Sequence, residues 1–215
     1  MNDLQPSWQR SWAGLQAQSA AGLFERLIAC YSEPHRKYHT LQHLQECLNH
    51  LQPVVELAQH PAEIELALWF HDAVYALQRQ DNEQQSALWA QREILAGGGS
   101  PEAAGRVFAL VMATRHAALP ESADARLLVD IDLSILGAAP VRFDEYERQV
   151  RDEYSWVPAW MFRRKRRAVL QEFQRRSPLF STEHFRTRLE AQARENLQRS
   201  MAQLSSALSF NNLLA

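Results

Sequence analysis

The sequence predicts an all-α fold, and three observations predict it. Apolar residues recur at helical spacing along nearly the whole chain. Glycine is scarce, seven in 215 residues, and a β-rich fold would need more turn residues. Capping residues, prolines and the few glycines divide the apolar runs into helix-sized pieces. No repeat, low-complexity tract or linker intervenes, so a single globular helical domain over residues 1–215 is expected.

Each element has its own reason. Trp8, Trp12 and Leu15 recur at helix spacing, as do Leu23, Leu27 and Cys30, with Phe24 and Ile28 widening that stripe. Residues 31–39 form a polar connector containing Pro34. A helix with Leu41, Leu44, Leu48 and Leu51 follows, and Pro53 breaks or kinks it. Pro61 suits the first turn of a helix that runs to about Tyr75. After the loop Ala76–Gln80, Asp81 is the expected N-cap, with Gln84 at the capping-box position. Gly97-Gly98-Gly99 stops that helix. Ser100-Pro101-Glu102 starts the next, which ends near His116. Arg126–Leu136 reads as an apolar helix closed by Gly137, and Arg142–Trp156 as an amphipathic one. Pro158 opens a helix through Arg176, and Thr182 caps a last one from Glu183 to about Leu208, with a frayed or docked tail beyond. All six tryptophans read as core or packing residues.

Composition excludes several classes. The net charge of -2 supplies no global basic field for nucleic acid. The run Arg163–Arg167 reads as a solvated helix face, except that Arg166 shares a face with Phe162, Val169, Leu170 and Phe173. Arg166 is expected to point inward and to meet Glu153, Asp152 or an anionic substrate. The start, Met1-Asn-Asp-Leu-Gln-Pro6, lacks the pattern of a signal peptide, and no apolar run is long enough for a membrane span. Cys30 and Cys47 read as packed thiols in a reducing cytoplasm.

The chemistry concentrates in Leu66-Ala-Leu-Trp-Phe-His71-Asp72-Ala-Val-Tyr75. A helix apolar nearly all round is buried, and a buried carboxylate must be paired or bind a metal. In Tyr38-His39-Thr40-Leu41-Gln42-His43 two histidines stand four apart, on one helix face if the helix begins by His39. A third signal is Leu127-Leu-Val-Asp130-Ile-Asp132-Leu-Ser-Ile-Leu136. As a helix, this places Asp132 among Leu128, Val129, Ile135 and Leu136, whereas Asp130 neighbours Arg126 and Ser134 on the polar face. Asp132 is thus the expected buried carboxylate and Asp130 a surface one. Two buried carboxylates and two or three histidines in one core leave many polar groups to satisfy, which one divalent cation does at once.

These motifs resemble the HD superfamily of metal-dependent phosphohydrolases. Tyr38-His39-x-x-x-His43 is similar to the helix that opens the site in the cyclic-nucleotide phosphodiesterase branch. Tyr38-His39-Thr40 with His43, Trp69–Tyr75, Asp81-Asn82-Glu83 with Ser86-Ala87, and Asp132-Leu-Ser-Ile-Leu-Gly137 resemble a bacterial group of predicted HD-domain phosphohydrolases over roughly residues 20–200. The resemblance implies His43, His71, Asp72 and Asp132 as metal ligands and His39 as general acid toward the leaving oxygen. Asn82-Glu83 stands where a His-Glu often stands, and His116 is the one later histidine with a place in the pocket. One tightly bound metal is therefore expected, with a weaker second site near Asp72.

The implied activity is hydrolysis of a nucleotide or other small phosphate ester by attack of metal-bound water. Asp72 or Glu83 would take the water's proton, and protonated His39 would donate to the leaving group. Arg36, Tyr38, Asn82, His116 and Arg166 are the substrate-binding candidates; Arg36 can grip a phosphate bidentately. Mixed nitrogen and oxygen ligands suit Mn, Fe, Co, Ni or Zn, with Mg at the weaker site. A cytoplasmic monomer or homodimer is expected. Two alternatives keep the metal: a non-catalytic nucleotide sensor, and a di-iron oxygenase needing more histidines than are present.

Overall fold

The computed structural model describes residues 4–211, with side chains through residue 205. Among these residues there are ten α-helices, two 3-10 segments and no strand. They group into two compact units, one through Asp132 and one from Leu133 onward.

The first unit contains α1 (Leu4–Gly14), α2 (Leu23–Tyr31), α3 (Leu41–Leu51), α4 (Pro61–Phe70), α5 (Asn82–Ala96), α6 (Pro101–Ala113) and α7 (Ala123–Asp132). Helix α4 is its axis and packs against α1, α3, α5, α6 and α7. Ile64 and Leu66 through Phe70 are wholly buried, as expected of a helix apolar all round. Its two buried acids have partners: Glu63 accepts from Arg106 at 2.7 and 2.8 Å, and Glu65 pairs with Arg10. An aromatic cluster seats one side, with the Trp8 ring 5.1 Å from Trp69 and 5.4 Å from Trp12. The Trp69 indole N–H donates to Ser7 Oγ at 3.1 Å.

Several helix boundaries follow from local chemistry. Ser100 Oγ accepts from Ala103 N–H at 3.1 Å with Pro101 just inside the helix. Gly98, at φ 85, takes the left-handed place that ends α5, and Gly99 N–H closes back on Ile94 O at 2.9 Å. Pro53 converts the end of α3 into a 3-10 segment, Gln52–Leu57.

Four boundaries differ from expectation. Helix α3 begins at Leu41, not His39, because Thr40 is extended and its hydroxyl accepts from Gln42 N–H at 3.3 Å. Helix α4 ends at Phe70, so His71 and Asp72 sit in the turn beyond it. Asp81 stands at the N-cap position of α5 but does not cap it, since its carboxylate is taken by Arg79 (2.8 Å twice) and Gln85 (2.9 Å). The expected helix Arg126–Leu136 is α only to Asp132 and tightens to 3-10 over Leu133–Gly137.

The second unit has that 3-10 segment, α8 (Pro140–Glu153), α9 (Ala159–Arg175) and α10 (Glu183–Asn211). Asn196 Nδ2 donates to Leu136 O and Ala138 O, both at 2.9 Å, tying the 3-10 segment to α10. Gly137 packs so closely on Leu189 that a Cβ there would stand 2.6 Å from the Leu189 Cβ. Trp156 and Trp160 are 56% and 52% exposed, so they are surface residues and not the core residues expected. The expected tail falls largely outside the described residues. No helix among those described is long and apolar enough to cross a membrane.

Candidate metal centre

Four side chains from three regions of the first unit converge. His43 comes from the first turn of α3, His71 and Asp72 from the turn after α4, and Asp132 from the end of α7. The Nε2 atoms of His43 and His71 face each other at 3.1 Å. Asp132 Oδ1 lies 3.2 Å from His43 Nε2 and 3.7 Å from His71 Nε2. Asp72 Oδ2 lies 3.1 Å from His71 Nε2 and 3.6 Å from His43 Nε2, is buried, and has no hydrogen-bond partner. His43 and His71 are 3% and 1% exposed.

Neighbouring groups set which atoms face inward. His71 Nδ1 donates to Leu68 O at 2.7 Å, which turns Nε2 toward the centre. Tyr38 OH meets His43 Nδ1 at 3.0 Å and steers Nε2 the same way. His116, at φ 53, reaches Asp132 Oδ2 through Nε2 at 2.9 Å. Two ligands held side by side about 2.1 Å from one ion stand about 3.0–3.4 Å apart, and the shorter separations match that edge. The donor atoms of His43, His71, Asp132 and Asp72 are therefore placed so that they could hold a metal ion.

A further donor lies in the same place. The ligand atoms of His43, Cys47, His71 and Asp132 all fall within 4.8 Å of one another. Cys47 had the reading of a packed thiol; the signal for it was its place one helical turn after His43.

The electrostatics describe a site short of positive charge. Burial pushes His71 toward neutrality, but the Asp72 carboxylate, aided by Asp132, overrides that and raises its pKa to about 9. Burial alone would raise Asp72 and Asp132, yet His71 and His39 hold the Asp72 carboxyl well below the usual range, and hydrogen bonds from His116 and His43 do so for Asp132. Burial, then the Asp132 and Asp72 charges, push the Cys47 thiol well up. In the metal-free protein a proton on His71 thus supplies part of the missing cation.

A folded-state pKa raised from 6.5 to about 9 contributes stability that is complete below 6.5 and lost as pH rises through 9. Chelator-treated protein is expected to unfold at lower urea near pH ~9.5 than near pH ~6, and a flat midpoint would contradict the assigned charges.

The remaining candidates fall into place differently. His39 lies before α3, half-buried, its ring stacked on Tyr75 at 4.2 Å and 6.1 Å from the His43 ring. It reaches the centre from the connector and not from the same helix face. Glu83, in the first turn of α5, is half-buried and makes no hydrogen bond or ion pair with the cluster among the described residues.

Arg36, expected to grip substrate, is a buried brace. Its guanidinium donates to Asp72 O at 2.6 Å, Ala73 O at 3.1 Å and His39 O at 3.3 Å, and to Glu33 Oε2 at 2.9 Å. The carbonyls freed where α4 ends need donors, and a cation suits the negative end of a helix. Asn82, another substrate candidate, uses its amide on Ala76 N–H (3.1 Å) and Ala76 O (3.0 Å), pinning the loop. Tyr38, a third, is 5% exposed and serves His43. Arg166 does point inward, but its partner is Glu147, with the guanidinium 4.8 Å over the Tyr146 ring. That is neither Glu153 nor Asp152, and it belongs to the second unit.

The face argument for the two aspartates also needs correcting. Asp130 is fully buried, not a surface residue, and it is itself partnered. Asp132 retains 12% side-chain exposure. The wheel failed because Leu127 through Ile131 are all buried, so this stretch of α7 has no solvent face on which Asp130 could lie.

Comparison with known proteins found no matching family model, no matching curated protein and no matching solved structure.

Proposed function

We propose that this chain is a metal-dependent phosphohydrolase of the HD type, acting on a nucleotide or another small phosphate ester. The observation that carries the reading is the convergence of His43, His71, Asp132 and Asp72 on one point, with the buried Asp72 Oδ2 lacking any hydrogen bond. A divalent cation there would acidify a water and stabilise the phosphoryl oxygens. When an ion binds, His71 would release the proton that it carries in the metal-free protein, and both rings, oriented by Tyr38 and by Leu68 O, would turn Nε2 to the ion. His116 holds Asp132 in place. His39, on the connector and half-buried, is assigned the proton donor to the leaving oxygen, and Asp72 or Glu83 the proton acceptor.

The test pairs metal analysis with phosphate release. Protein supplied with Mn, Fe, Co, Ni or Zn is expected to retain near-stoichiometric metal and to release phosphate from at least one nucleotide, cyclic nucleotide or simple ester. His39→Ala should keep the metal and lose about 10²–10⁴-fold in rate. Metal retained with no phosphate released across that panel would replace the enzyme with a metal-dependent sensor.

A further inference from the structure

We propose that the outer face of α9 binds single-stranded nucleic acid, a second function that lies in the second unit and does not depend on the metal centre.

Charge is unevenly spread along the chain. From Leu133 onward there are 14 arginine and lysine residues against 9 acids, although the whole chain has 23 against 25. All of those 14 but Lys165 are arginine, whose planar fork matches phosphate. On α9, Trp160, Arg164, Arg167, Gln171 and Arg175 recur every three or four residues and so share one face. That face runs roughly 22 Å at about 1.5 Å per residue. Trp160 is 52% exposed, and Arg164 and Arg167 are exposed with no hydrogen bond or ion pair among the described residues. Arg175 meets Glu172 in an exposed pair, which is held weakly. An ordinary solvated face intersperses the two signs, whereas Glu172 is the sole acid of α9.

The same face borders a groove of about 400 Å³ between α9 and α10. Arg167, Gln171, Gln174 and Arg175 line it from α9, Gln198 and Met201 from α10, and no carboxylate among the described residues lines it. The Gln174 side-chain carbonyl is buried there without a hydrogen-bond partner, and a buried acceptor calls for a donor. Guanidinium groups, side-chain amides and an exposed aromatic ring are what a single strand needs. Its phosphates pair with arginine, a base stacks on tryptophan, and base N–H groups meet the amides. A bilayer is a poorer match. Val169, the other large exposed apolar residue of α9, stands on the opposite side of the helix from Trp160, so no apolar face is left to insert.

Fluorescence anisotropy of the full chain with labelled oligothymidylate and oligouridylate, each about 12 nucleotides long, tests this. At least one of the two strands is expected to bind, equally with and without chelator. The log–log slope of affinity on salt should be about −2, three arginines at about 0.7 each. Arg164→Gln combined with Arg167→Gln should lose at least about tenfold in affinity and flatten the slope toward about −0.7. Trp160→Ala should lose about fivefold or more with the slope unchanged. Arg186→Gln combined with Arg188→Gln, the same change of charge at exposed positions of α10, should bind as wild type does. Wild-type protein that bound neither strand would overturn the proposal. So would an equal loss in the two double variants, which would leave only general charge attraction, and so would binding lost on chelation, which would move the strand to the metal centre. Tighter binding to vesicles of phosphatidylserine and phosphatidylcholine than to either strand would overturn it in favour of a membrane surface.

Discussion

His71→Ala is expected to leave the protein unable to retain a transition metal through gel filtration, with affinity reduced at least about a hundredfold. His71 brings its Nε2 within 3.1 Å of both His43 Nε2 and Asp72 Oδ2, so its loss removes a donor and the neighbour around which two others are arranged. Asp132→Ala should act similarly, since Asp132 spans the histidine pair and His116. Asp130→Asn provides the contrast. It preserves shape at a fully buried position and should retain metal at wild-type stoichiometry. Elemental analysis of the three purified variants checks this. Metal held equally by His71→Ala and wild type would remove the centre assigned here.

The second large effect belongs to Arg36. Arg36→Met is expected to destabilise the protein by about 3–5 kcal/mol, because it leaves the carbonyls of His39, Asp72 and Ala73 without their guanidinium donor. The guanidinium holds the connector to the His71–Asp72 turn through His39 O, Asp72 O and Ala73 O, and its side chain is wholly buried. Arg36→Lys should recover little, since an ammonium cannot reproduce the planar fork. Urea unfolding with chelator present isolates this effect from metal binding. An unchanged midpoint accompanied by weaker binding of phosphate would restore Arg36 to the substrate-binding role expected from sequence.

The difference between those two roles shows where sequence reading stopped. Arg36 precedes Tyr38-His39, and that neighbourhood suggested an anion grip. Its occupation follows from α4 ending at Phe70 and exposing carbonyls to a residue some 36 positions earlier. The same early end moved His71 and Asp72 into a turn, where Tyr31 OH also accepts from Asp72 N–H at 3.3 Å. Asn82 was legible as a polar residue near the site, but its use as a clamp on Ala76 depended on the path of the loop. Cys47 was visible one turn after His43, yet spacing alone does not tell a thiol in a core from one facing two imidazoles.

By itself the sequence determined the helical class, several helix starts and stops, and a short set of residues able to do chemistry. These are local matters: the Ser100 cap, the turn made at Gly98 and the apolar spacing all act within a few residues of chain. The tertiary structure decided which of those residues meet. His43 and His71 are 28 positions apart, and His116 reaches Asp132 across 16. Such pairings depend on how α3, α4 and α7 pack, and helical periodicity states which face is buried without stating what that face is buried against. The burial of Asp130 turned on the same packing, since Leu127 through Ile131 are all buried and this stretch of α7 keeps no face for solvent.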